Sequence, residues 1–260
     1  MTENDATAKA ALAFRSGMAD LAAAIPGSYR ERGANGTLLA LTRAMVPALN
    51  PILSAAATPD AAEIAALAEV AARESGPAPW SIRLRGEPTP EIVAVATRYG
   101  LTTTSTQPFM LGSLDGSGPT RPETASEVRV RRLPGNESAT FAAVLGAGFG
   151  APPEMISAIY TPAVLDSPGT SAYVAENDRG VPVSAGVAFL NDGFLGLANI
   201  STVPEFQRRG YGRALTEVIL RDGRTAGAHT AYLHANEPSL PFFEHVGFRT
   251  TEYWTMLSAF

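Results

Sequence analysis

The sequence predicts an α/β protein, a mixed sheet covered by helices, in two consecutive parts. Three observations carry this. Strand-like runs follow one another closely at 171–176 (SAYVAE), 181–190 (VPVSAGVAFL) and 194–203 (FLGLANISTV). An amphipathic stretch then separates the third run from a strand at 230–235 (TAYLHA), and it is long enough to bring the chain back for parallel pairing. Residues 112–126 (GSLDGSGPTRPETAS) hold so little large apolar surface that they read as an exposed linker between 1–111 and 127–260.

Composition narrows the classes. The chain has 260 residues, 45% apolar and 17% charged, which is globular and leaves room for two cores. With no cysteine there is no disulfide, thiolate metal site or cysteine nucleophile, and no metal is expected. A net charge of -5 argues against nucleic acid or an anionic membrane as partner. No run of about 20 apolar residues escapes a charge. Glu3, Asp5, Arg15 and Asp20 break up the N-terminus as a secretory leader, so a cytoplasmic protein is expected.

In the second part, Val128 and Val130 alternate with Arg129 and Arg131 as a short strand. Asn136 is placed to cap a helix carrying Phe141, Val144 and Leu145, which the glycines of GAGFG (146–150) would end. Pro152 and Pro153 open a short helix. The three strand runs, joined by NDRG and by NDG at 191–193, form an antiparallel meander. A helix to about Arg224 carries Leu215, Val218 and Ile219 at helical spacing. A short helix through Phe242, Phe243 and Val246 and a strand near 248–257 close the chain. The first part has helical patterns at 5–24, 60–73 and 89–99 and strands at 50–54, 80–85 and 102–111. Its end (Tyr99 to Leu111) parallels the chain's end (Val246 to Ser258), with Gly100 matching Gly247, so a decayed duplication is expected.

Chemistry concentrates at 203–213, VPEFQRRGYGR, which leaves a strand and opens a helix. Gly210 and Gly212 bare the backbone where helical N–H groups are unpaired, and Arg208, Arg209 and Arg213 add positive charge. That combination suits a diphosphate. It is not a P-loop, because Arg213-Ala214 follows the second glycine, nor a dinucleotide fingerprint, because Leu215 stands where a third glycine is needed.

Gln207-x-x-Gly210-x-Gly212 after Val203-Pro204-Glu205 resembles the acyl-CoA motif of the GNAT superfamily of N-acyltransferases, and Leu233 to Phe248 (LHANEPSLPFFEHVGF) is similar to a second segment of that family. The resemblance covers about 127–260. It implies a GNAT-like fold, the N-terminal part being a degenerate copy that does not bind coenzyme A. It implies that the backbone of Ile200, Ser201, Thr202 and Val203 runs beside pantetheine. The Val203 N–H would polarise the thioester carbonyl. Arg208, Arg209, Gly210, Tyr211, Gly212 and Arg213 would hold the diphosphate, and Asn236 would contact the pantetheine arm. Acetyl-CoA is then the cosubstrate, and the acceptor an amine of a small molecule or peptide. One departure stands out: the family's proton-donating tyrosine position is Phe243 here. Strand 194–203 also lacks a carboxylate, which leaves Glu237 as candidate base beside His234, His245 and water. A non-catalytic acyl-CoA sensor is the alternative function. A homodimer is left open by the sequence.

Overall fold

The structure is a computed structural model and describes residues 2–115 and 128–260; the rest of the expected linker lies outside the described residues. In chain order the first stretch holds α1 (Glu3–Ala24), β1 (Tyr29–Arg32), β2 (Leu38–Leu41), β3 (Pro51–Ser54), α2 (Ala61–Glu74), β4 (Ser81–Arg85), α3 (Pro90–Arg98) and β5 (Thr103–Ser113). The second holds β6 (Arg129–Leu133), α4 (Ser138–Phe149), α5 (Pro153–Ser157), α6 (Pro162–Leu165), β7 (Thr170–Glu176), β8 (Pro182–Asn191) and β9 (Phe194–Thr202). It continues with α7 (Tyr211–Thr225), β10 (Thr230–His234), α8 (Leu240–His245) and β11 (Arg249–Ser258).

The strands form the mixed pairing expected. Two compact units divide the chain, and they are not its chain-order halves 1–111 and 127–260. The first takes the chain up to Met110 together with His234–Ser239 and Thr250–Phe260. The second takes Leu111–Leu233 and Leu240–Arg249. The linker expected at 112–126 also begins later, because β5 runs on to Ser113.

In the first unit β1, β2 and β3 are antiparallel neighbours, β3 pairs parallel with β4, and β4 pairs antiparallel with β11 from Trp254 to Ser258. The parallel step follows from α2, whose Ile64, Leu67, Ala68 and Ala71 form one apolar stripe. That stripe packs with Ile92 and Ala96 of α3 on Leu39, Leu41, Ile52, Ile82, Leu84 and Leu257. Sequence periodicity missed β1 and β2. Leu38–Leu41 is buried at every position, so it offers no alternation to read.

Beside this core sits an aromatic group around His234: Phe14, Phe109 and Trp254 lie 4.6, 4.8 and 5.1 Å from its ring. Burial, with the Arg83 charge nearby, holds the imidazole well below its ordinary value of 6.5. The Nε2 of His234 is buried without a hydrogen-bond partner.

The second unit is the meander β6-β7-β8-β9, antiparallel throughout, with β10 parallel to β9. Asp192 (φ +49°) and Gly193 (φ +78°) make the tight β8–β9 turn that NDG predicts. Gly150, at φ +66°, ends α4 as expected, but Glu137 and not Asn136 is its N-cap, and no side chain caps it. Between Ala185 and Val187 the β8–β9 register shifts. Asn199, opposite, adopts φ +54°, the left-handed conformation asparagine tolerates better than most side chains. Gly186 is the matching residue: a Cβ there would collide with Ile200 Cδ1. The Asn199 side chain donates through Nδ2 to the buried Tyr160 hydroxyl. Burial pushes that hydroxyl above its ordinary value, so it stays protonated.

Two stability predictions follow from these buried polar groups. His234 is depressed, so the unfolded chain takes up its proton first, and stability falls as pH drops below 6.5 towards the folded-state value. The slope approaches about 1.4 kcal/mol per pH unit for this one group. Urea unfolding of the wild type and His234→Phe across that window checks it: the difference in slope is expected to vanish above pH 7 or so. At the bulge, Asn199→Ala is expected to cost about 2–3 kcal/mol, from the orphaned Tyr160 hydroxyl and the left-handed alanine. Tyr160→Phe in the same chain should return about 1 kcal/mol of it in a double-mutant cycle.

Candidate active site

The site grows from the end of β9. Registered pairing of β9 with β10 stops at Gly196 and Tyr232, yet β9 continues to Thr202. Along that extension β8 covers one edge and β10 has left the other. Val203 lies one residue past β9, and its N–H donates to the Val183 carbonyl at 2.9 Å. This corrects the sequence-based role for Val203: its N–H is spent on β8 and is unavailable to a thioester. Alternation along an extended chain turns the Thr202 N–H to the opposite edge. The hydroxyl of buried Ser184 fixes this stretch, donating to the Ser201 carbonyl at 2.7 Å and meeting Thr202 Oγ1 at 2.9 Å.

After β9 the chain makes a single 3-10 turn (Pro204–Phe206) and enters α7 through Gly210. Gly210 has φ +88°, where a Cβ is disfavoured, although nothing within 4 Å would block one. Its task is therefore conformational. No side chain caps α7, and the Ala214 N–H is the one that closes on Gly210 O, at 2.9 Å. The preceding N–H groups, of Tyr211, Gly212 and Arg213, are the first-turn donors a helix leaves unpaired. They carry the positive end of the α7 dipole. Arg208 is itself left-handed at φ +61°, and Gln207 ties the loop back by donating from Nε2 to the Thr202 carbonyl at 3.1 Å.

A groove of about 430 Å³ opens over these donors. Residues 200–202 form one wall, 206–208 and 210–213 the loop and helix entry, and Phe242 of α8 an apolar side. Arg213 is held in place, its Nε on Glu217 at 2.7 Å and its Nη1 at 3.2 Å from His245 Nε2. Glycine at 212 admits close approach, since a Cβ would stand 3.3 Å from Thr202 Oγ1.

The structure thus gathers Ile200, Ser201, Thr202, Arg208, Gly210, Tyr211, Gly212 and Arg213 around one groove. It does not bring Arg209 there: that guanidinium lies 5.4 Å over the Phe206 ring. Asn236 and Glu237 fall in the first unit, both exposed. Asn236 Oδ1 accepts from the Ser239 N–H at 3.0 Å and so caps a local turn. Phe243 is buried against Phe242 and Phe248, a core side chain with no proton to offer. Sequence reasoning gave Phe242 no part in the groove; the tandem Phe242-Phe243 put one ring inside and one on the wall, and no composition signal says which. Among the described residues no group of three His, Asp or Glu side chains is placed to hold a metal, and no helix is long and apolar enough to cross a membrane.

Comparison with known proteins agrees with this geometry. The acetyltransferase (GNAT) family model matches residues 146–248. A GCN5-related N-acetyltransferase from Kribbella flavida shares the fold at a TM-score of 0.69 and 20% identity, over 97% of this chain and 95% of that one. A conserved protein of unknown function from Staphylococcus epidermidis gives 0.63 and 15%, over 89% and 93%. A GCN5-related N-acetyltransferase from Sphaerobacter thermophilus gives 0.52 and 14%, over 70% and 60%. No curated protein matches the chain by sequence. At these identities the solved structures speak for the fold, and the family model speaks for the segment holding the groove. Residues 146–248, the segment that holds the groove, accordingly match the acetyltransferase (GNAT) family.

Proposed function

We propose that this protein transfers an acetyl group from acetyl-CoA to an amine of a small molecule or peptide. One observation carries the reading: an uncapped helix N-terminus, flanked by Arg208 and Arg213, stands at the end of a strand with an open edge. The diphosphate of coenzyme A would rest on the N–H groups of 211–213. Pantetheine would follow the open edge of β9 at 200–202, as an added strand does. The Thr202 N–H then replaces Val203 as donor to the thioester carbonyl oxygen.

The chemistry needs little more. A neutral amine nitrogen attacks the carbonyl carbon and the oxygen takes the negative charge. The C–S bond then breaks, releasing coenzyme A thiolate, and the new amide loses its extra proton. A thiol with pKa near 8.5 leaves as a fairly stable anion, so the absence of an acid at Phe243 is tolerable. The same lack of an acid favours a second reading, an acyl-CoA sensor that binds without turnover.

Calorimetry with acetyl-CoA tests binding, and thiol release across an amine panel tests turnover. The chain has no cysteine, so every titrated thiol belongs to coenzyme A. Gly210→Asp is expected to weaken acetyl-CoA binding at least ~100-fold, through its carboxylate beside the phosphates and its positive φ. Arg208→Ala and Arg213→Ala should each cost roughly tenfold, the scale of one charge-assisted hydrogen bond, and Arg209→Ala less than about threefold. Tight binding without thiol release from any amine would favour the sensor.

A further inference from the structure

We propose that the first compact unit carries a binding site for one small carboxylate, formed by the buried guanidinium of Arg83 and the Nε2 of His234. This site lies outside the acyl-CoA groove and does not depend on it. Arg83, on β4, is 7% exposed. Buried arginines are normally paired, because an isolated charge costs several kcal/mol to remove from water. Among the described residues Arg83 has no carboxylate within ion-pair distance. Its Nη2 donates to Gln107 Oε1 at 2.7 Å, and its guanidinium lies 4.8 Å over the Phe14 ring. A neutral amide and a ring face leave most of its five N–H donors, and its charge, unmatched. Burial alone lowers the guanidinium to about 10, so it stays charged at neutral pH.

The carboxylate that could have matched it is already taken. Glu252, on β11, receives Arg85 Nε and Nη2 at 2.9 and 2.7 Å and the Trp254 indole N–H at 2.7 Å. Arg83 and Arg85 alternate on one sheet face, and the acid serves only the second. The independent observation is His234: its Nε2 is buried, lacks any hydrogen-bond partner, and is close enough for the Arg83 charge to act on its titration. A native chain rarely leaves a buried cation unpaired and a buried ring nitrogen orphaned together.

Charge balance selects the ligand. One monoanion neutralises Arg83, whereas a phosphate dianion would leave a net buried charge. A planar carboxylate also matches the guanidinium fork and leaves an oxygen for the Nε2–H tautomer of His234. Phe14, Phe109 and Trp254 supply apolar walls, which favour an aromatic or aliphatic body behind the carboxylate.

The test uses the full chain and benzoate as probe, read by the side-chain nitrogen resonances of its three histidines. Benzoate is expected to shift the His234 Nε2 resonance saturably, with a dissociation constant of about 1 mM or tighter, and to leave His229 and His245 in place. Benzamide, which has the ring without the charge, should produce no saturable shift, and Arg83→Gln should weaken benzoate at least tenfold while acetyl-CoA affinity stays unchanged. Should Arg83→Gln fail to fold, the benzoate and benzamide arms on the wild type still decide. No His234 response to benzoate by about 20 mM, or an equal response to benzamide or to chloride, overturns the proposal.

Discussion

The departure of β10 from β9 after Gly196 is the constraint on which the site depends. A sheet holds together by exchanging backbone hydrogen bonds, and a strand that loses a neighbour exposes a row of donors and acceptors. Here that row is produced within one sheet, and β8 keeps its grip on the other edge through the Val183–Val203 bond and Ser184. The result is a rigid strand with one reactive backbone edge. A loop could expose the same groups, but without a partner to hold their direction.

The bulge at Asn199 and the glycine entry to α7 are consequences of the same design. A two-for-one mismatch between β8 and β9 bends the strand and raises its local twist. Gly186 makes room for Ile200 to cross it. Beyond the bend, the chain must turn into a helix without covering its first amides. Serine or aspartate at the cap would stabilise α7 by about 1 kcal/mol but would occupy those amides. Gly210 forgoes that stabilisation, and Arg208 in a left-handed conformation adds local strain. The loop recovers part through Gln207 on Thr202 and Arg213 on Glu217.

Much of this was legible in the residues. Gly210 and Gly212 between a strand run and an apolar helical stripe define the loop, because Gly210 takes a left-handed backbone and Gly212 leaves room beside Thr202. NDG announces its turn for the same reason. What escaped the sequence depends on direction or on distant packing. Whether Val203 or Thr202 presents its N–H is a question of strand parity, and it is decided by where β9 ends against Val183. That Arg208 faces the groove while Arg209 stacks on Phe206 is equally a matter of rotamer and ring position. The Arg83–His234 pair joins residues far apart in sequence, on β4 and β10, and no local pattern couples them.

The two parts of the chain repeat one sequence of elements: β3, α2, β4, α3, β5 in the first and β9, α7, β10, α8, β11 in the second. In each series the first two strands pair parallel across the intervening helix. The helix entrances differ in one decisive way. At α2, Asp60 Oδ1 accepts from the N–H groups of Ala62 and Glu63 at 2.9 and 3.1 Å, and Asn35 steadies its other oxygen at 2.6 Å. Those backbone hydrogen bonds hold the Asp60 carboxyl below its ordinary value, so a fixed negative charge already sits where a phosphate would bind. Glu63 in the first turn adds another. At α7 the same place is a glycine with arginines on either side. A phosphate would meet repulsion at one entrance and attraction at the other. A chain that duplicated a cofactor-binding motif could therefore retire one copy by a cap substitution alone, gaining helix stability where it gave up the ligand.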